Sequence, residues 1–234
     1  MKNEKNDITA ILFDFGGVFI PVADEDQELL MAFKKLYLDA YPLKKTFLPE
    51  YMVLVKALLR KMTCGEPVSV VWNEFEQETN VSKPQHLEEF LVRPYRHVEL
   101  NSEMLVLVDA LRKNRYKNGL VSNTLQPHVD YFWEKGLYKP FDRLILSCIE
   151  KVAKPDSRIW KVALGRIAGF DVNLENVEKA LSHKEYQKIA KKTVYLDDIE
   201  ENTQAYEREL GGPAVPHKDP NATIEALREL GVRC

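Results

Sequence analysis

Ile11-Leu12-Phe13-Asp14-Phe15-Gly16-Gly17-Val18 is the stretch on which the reading of this chain turns. An apolar run ends in a carboxylate, and two glycines follow almost at once. A short continuous apolar run bounded by turn residues predicts a strand buried on both faces, here 10–13. Asp14 then stands at the carboxyl end of that strand, the edge where open α/β sheets bind ligands. Glycines at that place let the backbone turn sharply and approach an anion closely. Taken alone, an aspartate here also reads as the cap of an ordinary turn.

Working outward, four further apolar runs predict strands at 118–121, 143–146, 194–196 and 213–215. Helical periodicity covers 103–113, 157–168, 202–209 and 223–230, so strands alternate with helices. That alternation predicts right-handed crossovers and an α/β fold, a Rossmann-like doubly wound parallel sheet with helices on both faces. One stretch interrupts it. Between residues 20 and 98 no strand is predicted, only amphipathic segments at 27–40, 50–62, 70–79 and 85–92, punctuated by Pro42, Gly65-Glu66-Pro67 and Lys83-Pro84. The expected organisation is a core of 1–19 and 98–234 with a helical cap at 20–97 inserted over the sheet's carboxyl edge. Residues 171–191 form a polar, Lys-rich connection of moderate helical character, and there is no internal repeat.

Composition narrows the class. The 234 residues are 45% hydrophobic and 29% charged, as in an ordinary globular protein with a substantial core. A formal net charge of −3 and a pI near 6.0 offer no nucleic-acid or anionic-membrane surface. Cys64, Cys148 and Cys234 are widely spaced and match no metal or disulfide pattern, so a cytoplasmic protein with free thiols is expected. The Lys-rich start followed by 11–20 is a poor signal peptide, because Asp14 interrupts the apolar run and no small-residue cleavage site follows.

Three more signals sit at predicted strand ends. Ser122-Asn123 closes the second strand with hydroxyl and amide donors, suited to phosphoryl oxygens, though taken alone the pair reads more readily as a helix N-cap. Lys154-Pro155-Asp156 follows the third and opens a helix; its lysine could balance a carboxylate and a phosphate, though many such lysines are simply solvated. Asp197-Asp198 ends the fourth, and oxygen-only ligands with room for waters suit Mg²⁺. All four signals fall on the same edge of the predicted sheet, in the order acid, Ser-Asn, Lys-Pro, Asp-Asp.

In that order the chain resembles the haloacid-dehalogenase (HAD) superfamily of hydrolases, in the subgroup with a helical cap after the first motif. Asp14-Phe15-Gly16-Gly17-Val18 is similar to the first motif, a variant of the form Asp-x-Gly-Gly-Val, Ser122-Asn123 to the second, Lys154-Pro155-Asp156 to the third, and Asp197-Asp198 with Asn202 to the fourth. The resemblance implies a Mg²⁺-dependent phosphatase acting on a small phosphorylated molecule, with no nucleic-acid or membrane partner. It implies Asp14 as nucleophile, forming an aspartyl phosphate. It also implies Mg²⁺ on Asp14, the Gly16 carbonyl, Asp198 and Asp197 (directly or through water), and phosphate contacts from Ser122, Asn123 and Lys154.

One position departs from the family. Most of its phosphatases carry a second aspartate two residues after the nucleophile, as general acid and base; here that residue is Gly16. Loss of a general acid costs about 10²–10⁴-fold in rate. The cost falls for acyl, aryl or anomeric sugar phosphates, whose leaving groups need little protonation. A catalytically impaired binding or regulatory protein and a 2-haloacid dehalogenase are the alternative readings, and the retained Asp197-Asp198 pair argues against the second. In the expected cap, Arg60, Lys61 and the Cys64-Gly65-Glu66 turn are candidate substrate-facing positions, though taken singly each reads more readily as a solvated helix end or an ordinary turn. Phe19 and Pro21 begin the hinge or the entry to the expected cap, Trp72, Phe75 and Leu91 read as core of the cap bundle rather than as ligand stackers, and Tyr131-Phe132-Trp133 pack a core helix.

Overall fold

The structure is a computed structural model describing residues 8–20, 22–42 and 45–234, with the backbone alone at 22–28 and at 45. Pro21 and the Lys-rich start lie outside the described residues.

Five strands form one parallel sheet: β1 (Ala10–Phe13), β2 (Lys117–Ser122), β3 (Arg143–Leu146), β4 (Thr193–Asp197) and β5 (Ala214–Pro216), in spatial order β3-β2-β1-β4-β5. Each predicted strand is present, with ends that coincide or shift by one residue. The apolar runs are continuous because the sheet is covered on both faces. Successive side chains of β1 and β4 go to opposite cores. Ile11, Phe13, Val194 and Leu196 pack in one, and Ala10, Leu12 and Tyr195 in the other.

Four α-helices follow β1 before the alternation begins: α1 (Val22–Ala40), α2 (Leu48–Thr63), α3 (Val68–Thr79) and α4 (Leu87–Val92). They enclose their own core, in which Phe33 stacks on Trp72 at 5.4 Å and both are fully buried, as are Val55 and Leu91. Burial of an aromatic ring of this size contributes about 1.5–3 kcal/mol. Trp72, Phe75 and Leu91 thus lie where their helical spacing placed them.

Beyond this block come α5 (Ser102–Lys113), α6 (Gln126–Glu134), the single turn α7 (Ser147–Glu150) and α8 (Ser157–Ala168). The polar connection at 171–191 folds as α9 (Val177–Ala180) and α10 (His183–Ala190), the latter started by a Ser182/Glu185 capping box. Val172, Val177, Leu181 and Tyr186 are buried there, while Lys184 and Lys188 stay in solvent. α11 (Glu200–Leu210) and α12 (Pro220–Glu229) complete the layers. The aromatic triplet on α6 does not pack as one cluster. At 100° per residue its three rings point three ways: Phe132 is buried, Tyr131 half-buried, and Trp133 66% exposed. No described helix is long and apolar enough to cross a membrane.

The helical block is tied to the sheet at several points. Leu125, just beyond β2, belongs to the block's core. His128 of α6 bonds the Leu91 carbonyl at 3.1 Å, and the Tyr131 hydroxyl donates to the Arg96 carbonyl at 3.0 Å. Between α2 and α3, Gly65 has φ +87°, and a Cβ there would stand 2.4 Å from the Cys148 carbonyl oxygen of α7. This turn abuts the main body. Gly65→Ala combines left-handed backbone strain with a steric overlap, so denaturant unfolding should show a loss of about 1–3 kcal/mol.

Candidate active site

Strand order reverses across β1 and β4, and the crevice at their carboxyl ends is a topological switch point. Phe13 lies opposite Leu196, and the Asp14 N–H donates to the Leu196 carbonyl at 2.7 Å. The residues that follow, Asp14 and Asp197, are therefore two carboxylates brought side by side, and both are buried.

Lys154 offsets their repulsion. Its side chain is 1% exposed, with Nζ 2.8 Å from Asp14 Oδ1 and 2.8 Å from Asp197 Oδ2. The loop that delivers it, between α7 and α8, is held by the end of β2. Asn123 Oδ1 accepts the Lys154 N–H at 2.9 Å, and Asn123 Nδ2 donates to the Lys154 carbonyl at 3.1 Å. Beside it, Ser147 Oγ accepts the Thr124 N–H at 2.9 Å. The Asn123 amide thus brackets the backbone of Lys154.

The two carboxylates are engaged differently. Asp197 Oδ1 accepts the Ile199 N–H at 2.8 Å and Asn202 Nδ2 at 3.2 Å, and Oδ2 accepts Lys154, Asn202 Nδ2 and the Tyr195 hydroxyl. Both of its oxygens are committed. Asp14 Oδ1 accepts Lys154 and the Phe15 N–H at 2.7 Å, whereas no described donor reaches Oδ2. Asp198 is exposed, and its carboxylate lies over Gly17. A Cβ on Gly17, whose φ is +67°, would stand 2.1 Å from Asp198 Cγ. Asp14, Asp197 and Asp198 each offer an oxygen, all within 4.8 Å of one another.

A cavity of about 180 Å³ opens here, lined by Asp14, Gly16, Ser122, Asn123, Lys154 and Asp198 among others. Six of the seven residues singled out by sequence therefore share one wall, and Asp197 stands behind it. Ser122, buried at the end of β2, makes no hydrogen bond through its hydroxyl to a described residue. Tyr95, His128 and Phe132 line the same cavity and were missed, because an aromatic or a histidine on a helix carries no sequence signal for a site. Tyr195 was also missed, although it sits two residues before Asp197 on the same strand and so shares its face.

Burial sets the electrostatics. It raises the Asp14 carboxyl to about 7, with Lys154 opposing the shift and Asp197 adding to it. Burial works against the Lys154 charge, but Asp14 and Asp197 outweigh it and hold the ammonium above its ordinary range. Burial, then Asp197, pushes the Tyr195 hydroxyl well up, so it stays a donor. His128 is lowered to about 4 by burial. Since the Leu91 carbonyl only accepts, Nε2 carries the proton of a neutral ring.

A carboxyl whose folded value lies above its unfolded one of about 4 favours folding fully below that pH, and the contribution is gone above about 7. Asp14→Asn removes this pH-dependent loss. With divalent ions chelated, the variant should melt higher than the parent near pH 8, by on the order of 1–2 kcal/mol. The advantage should shrink towards pH 5 in thermal melts across that range.

No protein-family model and no curated protein matches the sequence. Solved structures do match. A HAD family enzyme from Bacteroides thetaiotaomicron superposes with a TM-score of 0.64 at 20% identity, over 90% of this chain and 94% of that one. That enzyme has also been solved in complex with magnesium and inorganic phosphate, at a TM-score of 0.59 and 21% identity over 90% and 94% of the two chains. A HAD phosphatase from Thermococcus onnurineus reaches 0.60 at 17% identity over 97% and 100%, and a predicted HAD-like family hydrolase from Porphyromonas gingivalis 0.61 at 20% over 96% and 98%. Over nearly its whole length, this chain has the fold of the HAD enzymes.

Proposed function

We propose that the protein is a Mg²⁺-dependent phosphatase that hydrolyses a small phosphorylated metabolite through an aspartyl phosphate on Asp14. One observation carries the reading: Asp14 Oδ2 takes no hydrogen bond from a described residue, while Oδ1 is clamped by Lys154 and the Phe15 amide. A carboxylate held by one oxygen, at a switch point, keeps the other for attack. The neighbouring structures solved with magnesium and phosphate support the same chemistry.

The donor set fits the metal. Three carboxylates and one ammonium leave an uncompensated negative charge, and only oxygen ligands converge, as a hard divalent cation requires. Asp14, Asp198 and the Gly16 carbonyl would hold Mg²⁺. Asp197, which also holds Lys154, would reach the ion directly or through water. Bound Mg²⁺ supplies charge neutralisation between the nucleophile and the phosphate.

In the first step Asp14 Oδ2 attacks phosphorus, and the bond to the leaving oxygen breaks with its electron pair. Lys154 and the Ser122 hydroxyl stabilise the charge gathering on the phosphoryl oxygens. The exposed Asn123 amide keeps Lys154 in register and offers a further contact. Water then attacks phosphorus, releasing inorganic phosphate and restoring the carboxylate. Gly16 gives the leaving group no proton, which restricts the enzyme to acyl, aryl or sugar 1-phosphates. Residues 20–97 serve as the cap, excluding water from the cavity.

A panel of aryl, acyl, anomeric sugar and alkyl phosphates, assayed with and without Mg²⁺, tests this. Turnover should require the metal, vanish in Asp14→Asn, and fall at least about 10²-fold in Lys154→Met. No hydrolysis of any member by a protein that still binds Mg²⁺ would move the assignment to a non-catalytic scaffold. Gly17→Ala, which drives a methyl group into the Asp198 carboxylate, should raise the Mg²⁺ concentration needed for half-maximal rate. Gly16 lacks the positive φ of Gly17, so a side chain there meets no left-handed backbone strain. Gly16→Asp should then raise turnover of alkyl phosphates selectively, and an unchanged rate in the folded variant would mean the missing acid is not limiting.

A further inference from the structure

A second cavity, of about 400 Å³, adjoins the catalytic one and shares Asn123 and Lys154 with it. Its opposite wall is the α2 face carrying Lys56, Arg60 and Thr63. Lys56 and Arg60 are four residues apart and hence neighbours on one helix face. Both are exposed, and neither forms an ion pair with a described residue. Lys61, one position on, is instead paired with Glu74 at 2.6 Å. No carboxylate lines this cavity. The contrast with the large outer groove between α3–α4 and α6 is sharp, since Glu88, Glu89, Asp130 and Glu134 line that one. Two cations that form no ion pair with a described residue line this carboxylate-free space beside the catalytic cavity, and they form a local positive field in a protein of net charge −3.

We infer that Lys56 and Arg60 form an anion subsite, so that the substrate is a phosphomonoester bearing a second anionic group, a carboxylate or another phosphate, on its leaving group. The phosphoryl group occupies the smaller cavity and the second anion the larger. This assignment rests on the phosphatase reading for its chemistry, but the subsite itself is a binding property and is measurable without turnover. A guanidinium takes a carboxylate or phosphate through two parallel N–H donors, and the lysine adds a point charge.

The full chain with Mg²⁺ is titrated calorimetrically with three non-hydrolysable ligands: 4-carboxyphenylphosphonate, 4-carbamoylphenylphosphonate and 1,4-phenylenebisphosphonate. The carboxylate and its neutral amide match in shape. The dianionic-tailed third ligand separates a second phosphate from a carboxylate as the preferred group. At low salt the wild-type protein should bind one or both anionic-tailed ligands about tenfold more tightly than the amide, a gap that narrows as salt rises. In a Lys56→Gln/Arg60→Gln variant the ratio should fall towards one. Equal affinities in the wild-type protein, or a ratio the double variant leaves intact, overturn the inference. Absence of binding by all three ligands overturns it too. The matching phosphate esters are assayed in parallel. Selective phosphonate binding without hydrolysis of any ester leaves the subsite standing and sinks the phosphatase reading, whereas hydrolysis without selectivity does the reverse.

Discussion

Everything at the sheet's carboxyl edge depends on one buried ammonium. Lys154 lies between Asp14 and Asp197, which parallel pairing of β1 with β4 forces into adjacency. Two carboxylates removed from water beside each other are tenable only with a cation between them. The chain supplies that cation from a loop two strands away and fixes the loop by its backbone, through the Asn123 amide. Three separate crossovers therefore meet at one nitrogen. The balance is incomplete by design of charge: adding Asp198, the cluster carries more negative than positive groups.

The two aspartates, alike in composition, are divided in role by their hydrogen bonds. Asp197 is saturated by Tyr195, Asn202, the Ile199 amide and Lys154, so it is fixed in place. Asp14 is held by one oxygen only. Such asymmetry separates a carboxylate fixed in place from one whose second oxygen takes no donor from a described residue. The helical block completes the site from above. Gly65 abuts α7, Leu125 joins the block's core, and His128 bonds the Leu91 carbonyl, so the α2 face with Lys56 and Arg60 has a defined position over the edge.

Much of this was legible in the sequence. The strands were, because a parallel strand buried on both faces must be a continuous apolar run. So were Asp14, Ser122, Lys154 and Asp198, since each follows such a run and the edge they share is set by strand direction alone. Gly16 was legible as an absence. The exposure of Trp133 was not, because an aromatic triplet gives no sign of which ring meets the core until the helix has been rotated against its neighbours. Residues 171–191 read as a polar connection because their five buried side chains are spread among lysines and glutamates, too thinly for periodicity to register.

By itself the sequence determined the class of fold, the edge that carries the chemistry and the residue types gathered there, since these follow from short-range patterning of apolar runs and turn residues. The tertiary structure alone decided the division of labour. That Asn123 holds the Lys154 backbone, that Tyr195 and Asn202 saturate Asp197, and that Lys56 and Arg60 line a cavity with the same lysine all depend on contacts between residues far apart in the chain. Such contacts are set by how the layers pack, and no local pattern encodes them.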